Sequence, residues 1–532
     1  MGLRQRIVEK SRSALLRPSV MRWVTDDRVM KATEGLLDAR IRMKAAWHVL
    51  LNGHELPNVD PALDPNIGQT EPPVKTNGAI NGHAKNGNGA LHVNGNGNGA
   101  ATAESGAAVR SNSRGSDDMD ESMKERHTLS AIGGKDVLEK CQKFMAADNA
   151  RKMGIYPFFR PLDLNDGPEA VINGKRVVMF GSNNYLGLTT HPRVREAAKN
   201  AIDRFGTSMT GSRLVNGSMK LHEEFENKLA AWFGKESALV FTTGYQVNLA
   251  TCAALLSNKF SVAVIDRNVH ASLYDGARLG QAAGARLVRY RHNDPESLDK
   301  TLEKLEEGEG ALVITDGVFS AEGEIARLDE IVAVVKKHGA RILVDDAHAL
   351  GVIGPGGQGT AAHFGVLKDV DLVGGTFSKS LASIGGWLVG ERKVLDYIRH
   401  FAPSFMFAAA AAPPSVAAAM AAFEVMQEEG WRIDKLRDNF TYMRTELAGM
   451  GFELGHTQTA VIPIYVRQDL RTIMMWRDLL EEHGIYVNPF ISPGVPPKSA
   501  MLRTSYMATH EREHLDRGLE AFRKVGKKYG VI

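Results

Sequence analysis

Cysteine is scarce in this sequence: Cys141 and Cys252 are the only two in 532 residues, and they stand far apart. That excludes a disulfide scaffold and a paired-cysteine metal site, and it points to a reducing, cytoplasmic setting. Net charge is equally slight. The 65 Lys and Arg against 62 Asp and Glu leave +3, which gives no reason to expect a nucleic-acid partner. Long apolar runs are missing too. No stretch reaches the roughly 18 residues that a spanning helix needs, and the N-terminus lacks the apolar core of a signal peptide. Met1-Gly2 opens like an acylation site, but Arg6 stands where Ser or Thr is required. What is present is an ordinary composition, 43% hydrophobic, in a chain long enough for two or three domains with a large core.

Composition changes twice along the chain. Residues 1–63 read as a helical N-terminal extension, basic at its start (Arg4, Arg6, Lys10, Arg12), with Leu36, Leu37, Ile41 and Met43 near helical spacing. Two readings fit it: a helix for peripheral contact with a membrane surface or a partner, or a small accessory module with a solvated basic face. The second is favoured, because no broad hydrophobic face accompanies the charges. Residues 64–123 are rich in Asn-Gly pairs, such as Asn86-Gly87-Asn88-Gly89. Such a stretch has too few apolar groups to offset the entropy of ordering, so a disordered linker is expected.

The rest reads as a globular body: residues 124–180 as an N-terminal segment, 181–414 as a large domain and 415–532 as a small C-terminal α+β domain. Short apolar runs alternate with helical patterns. The spacing predicts strands at Ala238–Phe241, Ala263–Asp266, Arg286–Val288, Ala311–Thr315, Ile342–Val344, Leu372–Val373 and Trp387–Val389. Runs apolar on both faces and separated by helices imply an α/β fold with a mainly parallel central sheet flanked by helices. Leu328, Ile331, Val332 and Val335 share one helix face, closed by Gly339. Beyond Pro414 the pattern predicts an Ala-rich helix. It also predicts an edge strand at Ala460–Val466 carrying Pro463, and a last amphipathic helix with Leu515, Leu519, Phe522 and Val525.

Several polar residues stand at the ends of these strands. Lys379 follows the apolar Leu372-Val373 in Gly375-Thr376-Phe377-Ser378-Lys379-Ser380, and Asp345 and His348 follow Val344. A lysine, an acid and a histidine so placed suit pyridoxal phosphate (PLP). The lysine would hold it as a Schiff base, and the acid would keep its ring nitrogen charged. Thr242-Thr243-Gly244-Tyr245 opens a helix after a strand, which is either a phosphate site or an ordinary N-cap. His270, after Asp266, offers a ring to stack on a flat cofactor. Ser320 and His348 are candidates for the cofactor's phenolic oxygen, Thr376 for its phosphate, and Arg503 for a substrate carboxylate. Gly354-Pro355-Gly356-Gly357-Gln358-Gly359 matches a dinucleotide pattern formally. It lies in a loop after Asp345 rather than at a first strand-to-helix turn, so that reading is rejected.

Residues 154–529 resemble the α-oxoamine synthases, PLP enzymes of fold type I that join an amino acid to an acyl-CoA and release carbon dioxide. The resemblance rests on ordered motifs: Tyr156-Pro157-Phe158-Phe159-Arg160, Asn183-Asn184-Tyr185-Leu186-Gly187, His270-Ala271-Ser272, Asp345-Asp346-Ala347-His348, Thr376-Phe377-Ser378-Lys379 and Met507-Ala508-Thr509-His510. It implies Lys379 as the Schiff-base lysine and Asp345 as the ring-nitrogen partner. His270 would stack on the ring, with His348 and Ser320 at the phenolic oxygen. Gly244, Tyr245 and Thr376 would serve the phosphate, and Asn184 with Arg503 the substrate carboxylate. It implies a homodimer, no metal, and L-serine and a long-chain acyl-CoA as substrates. Glycine, alanine or another acyl-CoA remain alternatives, and a non-catalytic dimeric scaffold is a remote one. One departure stands out: hydroxyl residues common in the family after the aromatic at Phe407 are replaced by Ala408 to Ala412. This puts a cross-subunit phosphate contact in question.

Overall fold

The computed structural model describes residues 136–532. The extension at 1–63 and the linker at 64–123 lie outside the described residues, as do their expected helix, disorder and membrane contact. The described chain falls in two units, 136–150 and 151–532. The first holds the one-turn helix Glu139–Gln142.

Within the second unit, a hairpin series comes first: β1 (Leu164–Asp166), β2 (Glu169–Ile172) and β3 (Lys175–Met179). The large sheet follows, with β4 (Ser237–Phe241), β5 (Ser261–Asp266), β6 (Arg286–Tyr290), β7 (Gly310–Asp316), β8 (Arg341–Asp345), β9 (Leu372–Thr376) and β10 (Gly386–Gly390). Its order is β4-β10-β9-β8-β7-β5-β6. All seven expected strands form, each longer than its apolar run. Pairing is parallel from β6 through β5, β7 and β8 to β9, and only β10 runs antiparallel to its neighbours. Burial of both faces explains the unbroken apolar runs, as in β5, where every residue is buried.

The helices follow their patterns. Leu328, Ile331, Val332 and Val335 are the buried residues of the Leu328–Lys337 helix. The Gly244–Leu255 and Ala271–Ala282 helices pack on the large sheet, where Val247 and Leu273 join Leu239, Ile314 and Leu343 in one core. These two helices meet closely because Gly276 lacks a side chain. A Cβ there would lie 2.8 Å from the Asn248 carbonyl oxygen.

Four strands close the chain: β11 (Val461–Tyr465), β12 (Ile485–Tyr486), β13 (Asn488–Phe490) and β14 (Met501–Ser505). β11 is an edge of the sheet β11-β14-β13, as its proline requires. β12 pairs with β3 in parallel. Segments at opposite ends of the sequence body therefore share a sheet. The last helix, Arg512–Lys528, buries Leu515, Leu519, Phe522 and Val525. Gly354–Gly359 is a 3-10 turn and loop, with no strand leading into it.

Candidate active site

Parallel strands present their C-terminal ends on one side of the sheet, and three carboxylates gather there. Asp266 ends β5, Asp316 ends β7 and Asp345 ends β8. Asp316 and Asp345 are register partners. Both line a cleft of about 160 Å³. The same wall carries Lys379, His270, His348, Thr376, Gly244 and Tyr245. Seven residues singled out from the sequence are thus brought together.

Lys379 sits in the turn after β9, and that turn is tied down on several sides. Thr376 Oγ1 donates to the Gly385 carbonyl at 3.0 Å, and Ala382 N–H closes on the Lys379 carbonyl. Ser380 Oγ donates to the Leu350 carbonyl at 2.6 Å. Burial pushes the Lys379 amine down to about 8; the Asp345 charge opposes this and the Arg503 charge adds to it.

Asp345 is buried, yet both its oxygens are occupied. Oδ1 accepts from Ala347 N–H at 2.9 Å, and Oδ2 from Asn248 Nδ2 at 2.6 Å. Its neighbour Asp346 turns elsewhere: Oδ2 accepts Thr360 N–H at 3.0 Å, and burial raises its pKa to about 7. His270 caps the Ala271–Ala282 helix. Its own N–H donates to Asp316 Oδ2 at 3.1 Å. Burial lowers its pKa, against the pull of Asp345. Burial also raises the Asp316 carboxyl well above the usual range, and the nearby Asp345 and Asp266 charges add to this. His348 is held neutral by burial and by the Lys379 and Arg503 charges. Its Nδ1 lies 2.6 Å from the Tyr185 hydroxyl.

At the phosphate end, Thr243 provides an N-cap, accepting Gln246 N–H at 3.1 Å. The cap reading and the phosphate reading are compatible. First-turn N–H groups of a helix have no intrahelical acceptor, and Gly244 and Tyr245, the first two residues of that turn, line the cleft wall. Thr376 Oγ1 and Ser378 Oγ stand 2.8 Å apart beside them.

Three expected residues do not line the cleft wall: Ser320, Arg503 and Asn184. Arg503 Nε donates to the Ser320 carbonyl at 2.7 Å, which ties these two residues together. Arg503 Nη1 donates to Ser505 Oγ, and Nη2 donates to Asn183 Oδ1 at 3.0 Å. Asn184 is turned into its own loop. Its Nδ2 donates to Thr189 Oγ1 at 2.9 Å, and its Oδ1 accepts Leu188 N–H at 3.0 Å. Asn184 and Arg503 were both expected at the substrate carboxylate; within the protein it is the neighbouring Asn183 that bonds Arg503.

Residues not assigned from the sequence also contribute: Asn183, Tyr185, Asn248, Ser272, Asp316 and Ser378. Asp316 carried a usable signal, because it ends an apolar strand just as Asp345 does. Asn248 lies within a helix and carried none. After Phe407, the alanine run makes backbone contacts instead of hydroxyl contacts: the Ala409 carbonyl accepts from Thr242 Oγ1 at 2.6 Å.

The residues present fit PLP. Only glycine at 244 allows the helix start to approach Thr376, since a Cβ would lie 2.6 Å from the Thr376 Cβ. The cleft joins a lysine, an acid, an imidazole and a cluster of N–H and hydroxyl donors, one for each part of that cofactor. Asn248 Oδ1 is buried there without a protein partner.

The aminotransferase class I and II family model matches residues 175–522. A serine palmitoyltransferase of Sphingobacterium spiritivorum is 41% identical over 390 residues, 73% of this chain and 96% of the relative. An 8-amino-7-oxononanoate synthase of Thermoanaerobacter pseudethanolicus is 37% identical over 386 residues, 72% of this chain and 96% of the relative. A high-resolution structure of SPT with PLP as internal aldimine superposes with a TM-score of 0.72 at 36% identity, covering 75% of this chain and all of that one. The chain belongs to the aminotransferase class I and II family and, within it, to the α-oxoamine synthases, PLP-dependent acyltransferases of fold type I whose serine palmitoyltransferases it resembles.

Proposed function

We propose that the chain condenses L-serine with a long-chain acyl-CoA, palmitoyl-CoA, releasing CoA and CO2 and giving 3-oxosphinganine, the first step of sphingolipid synthesis. The observation that carries this reading is the convergence of Lys379, Asp345 and His270 on one cleft in a chain 41% identical to a serine palmitoyltransferase over 96% of that relative's length.

PLP, when bound, supplies an electron sink for the substrate's α-carbon. The protein supplies the rest. Asp345 keeps the ring nitrogen charged, and His270 offers its ring as a wall. His348 and Ser320 serve the phenolic oxygen, and Gly244, Tyr245 and Thr376 hold the phosphate. Arg503, steadied by Asn183, orients the substrate carboxylate as a guanidinium can. Lys379 takes the α-proton of serine and returns a proton after CO2 leaves; a pKa lowered to about 8 suits a base that works near neutrality. The serine α-carbon bonds to the thioester carbonyl carbon, and CoA departs as the thiol.

The reading includes a symmetric homodimer in the cytoplasm. The basic N-terminal segment is the part offered for peripheral contact at the inner membrane surface. Among the described residues, no helix is long and apolar enough to cross a membrane. The similarity to an 8-amino-7-oxononanoate synthase favours a sister activity as the second reading.

The test is CoA release across serine, glycine and alanine, each with short and long acyl-CoA. Serine with palmitoyl-CoA is expected to be fastest. Faster turnover with alanine or a short-chain thioester would replace this reading by the second. Lys379→Ala should abolish turnover and the cofactor's absorbance band; retained steady-state activity would remove Lys379 from the reaction.

A further inference from the structure

Asn248 is 2% exposed in the fifth position of the Gly244–Leu255 helix. A side-chain amide has two hydrogens, and both are used. One goes to Asp345 Oδ2 at 2.6 Å, the other to Ser272 Oγ at 2.8 Å. The opposite orientation of the amide would set its carbonyl oxygen against the Asp345 carboxylate, so the donor assignment follows from charge.

Ser272 carries the connection onward. Its oxygen accepts from Asn248, which leaves its own proton for His270 Nδ1 at 2.7 Å. His270 Nδ1 also accepts Ser272 N–H at 3.3 Å. A nitrogen that accepts twice carries no proton, so the ring proton of neutral His270 resides on Nε2. One amide thus touches the acid on one side and, through one hydroxyl, the imidazole on the other. The close helix approach at Gly276 makes this possible.

We propose that Asn248 is a positioning residue, whose amide fixes the Asp345 carboxylate and, through Ser272, the His270 tautomer and ring orientation together. This rests on the assignment of Asp345 and His270 to PLP. Asp345 Oδ1 is already held by Ala347 N–H. The Asn248 bond to Oδ2 removes the carboxylate's remaining freedom to rotate. Without it, Asp345 meets the cofactor as a mobile, partly uncompensated charge in a buried place.

The experiment is PLP binding to the full-length apoenzyme of wild type, Asn248→Ala, Ser272→Ala and the double variant, followed by fluorescence quenching and by circular dichroism of bound PLP. Asn248→Ala should weaken PLP binding by about tenfold or more and reduce the dichroism. Ser272→Ala leaves the Asp345 bond intact, so its dissociation constant should stay within about threefold of wild type while the dichroism changes. The double variant should bind PLP no more weakly than Asn248→Ala alone. An unchanged dissociation constant in Asn248→Ala would overturn the proposal, as would a double variant that binds PLP clearly more weakly than Asn248→Ala. If Asn248→Ala does not fold, Ser272→Ala decides: unchanged dichroism overturns the proposal. No amino acid or thioester enters these measurements, so a different substrate preference would defeat the proposed function and leave this result standing.

Discussion

The Tyr185 hydroxyl and His348 Nδ1 lie 2.6 Å apart in the buried wall behind the cleft. Burial holds the imidazole neutral and pushes the phenol up to about 12, so neither group changes charge near neutral pH. Tyr185→Phe leaves a buried ring nitrogen without its partner. It should cost about 1–3 kcal/mol of stability and lower turnover, because His348 then loses its fixed orientation. Chemical denaturation and steady-state kinetics check the two effects.

Adjacent asparagines should behave differently. Asn183→Ala removes an acceptor from the Arg503 guanidinium and should raise the KM for serine. A charge-assisted bond of about 1.5–3 kcal/mol corresponds to roughly 10- to 150-fold. Asn184→Ala breaks the Leu188 and Thr189 contacts inside one loop and should lower the melting temperature first. Equal kinetic effects from the two variants would contradict this difference between the neighbours.

The Lys379 amine titrates at about 8 in the folded chain, below its ordinary 10.5. Capture of PLP by the apoenzyme needs the neutral amine. Its rate should therefore rise about tenfold per pH unit up to roughly pH 8 and then level off. Arg503→Ala should move the break upward and Asp345→Asn downward, because those charges push the amine in opposite directions. For stability the sign is fixed. Between about pH 8 and 10.5 the unfolded chain binds more protons here, so this group adds stability as pH rises through that window. Rapid-mixing absorbance over a pH series measures the capture rate.

Gly244→Ala places a methyl group 2.6 Å from the Thr376 Cβ. Overpacking of this kind costs about 1–3 kcal/mol. The strain falls on the phosphate end of the cleft, so PLP affinity should drop by at least about fivefold. Titration of the apoenzyme with PLP reads this directly; unchanged affinity would remove Gly244 from the phosphate site.

His292 lies between Asp266 Oδ1 at 3.0 Å and Glu324 Oε2 at 3.4 Å. Burial works against its charge, but hydrogen bonds to both acids outweigh burial and raise its pKa to about 10. A raised pKa means that this stabilisation is fully present below pH about 6.5 and is lost as pH climbs through about 10. His292→Gln should cost on the order of 2 kcal/mol at pH 6, allowing for the ring's partial exposure. The difference from wild type should shrink toward pH 10. Denaturation curves at the two pH values test it.

Strand positions were legible because each buried strand is apolar on both faces, as Val262 to Ile265 are. Lys379, Asp345 and His348 were legible for a related reason: a charged or polar residue at the end of such a run, or a few residues past it, marks the end of the sheet where a site can form. Asn248 was not legible. It is one amide inside a helix, and its role arises only where a second helix brings Ser272 to 2.8 Å. Asn183 and Asn184 are equivalent as letters. Which of them meets Arg503 depends on how a loop folds against β14, 320 residues away.

The sequence by itself determined a mainly parallel sheet and the residue types standing at its strand ends, because periodic burial and residue chemistry are local properties of the chain. The tertiary structure alone decided which of those residues share a wall, how Asp345 is held and how far Lys379 is pushed from its ordinary pKa. Hydrogen bonds and desolvation depend on neighbours far away in the chain, such as Asn248 beneath Asp345 and Arg503 beside Lys379.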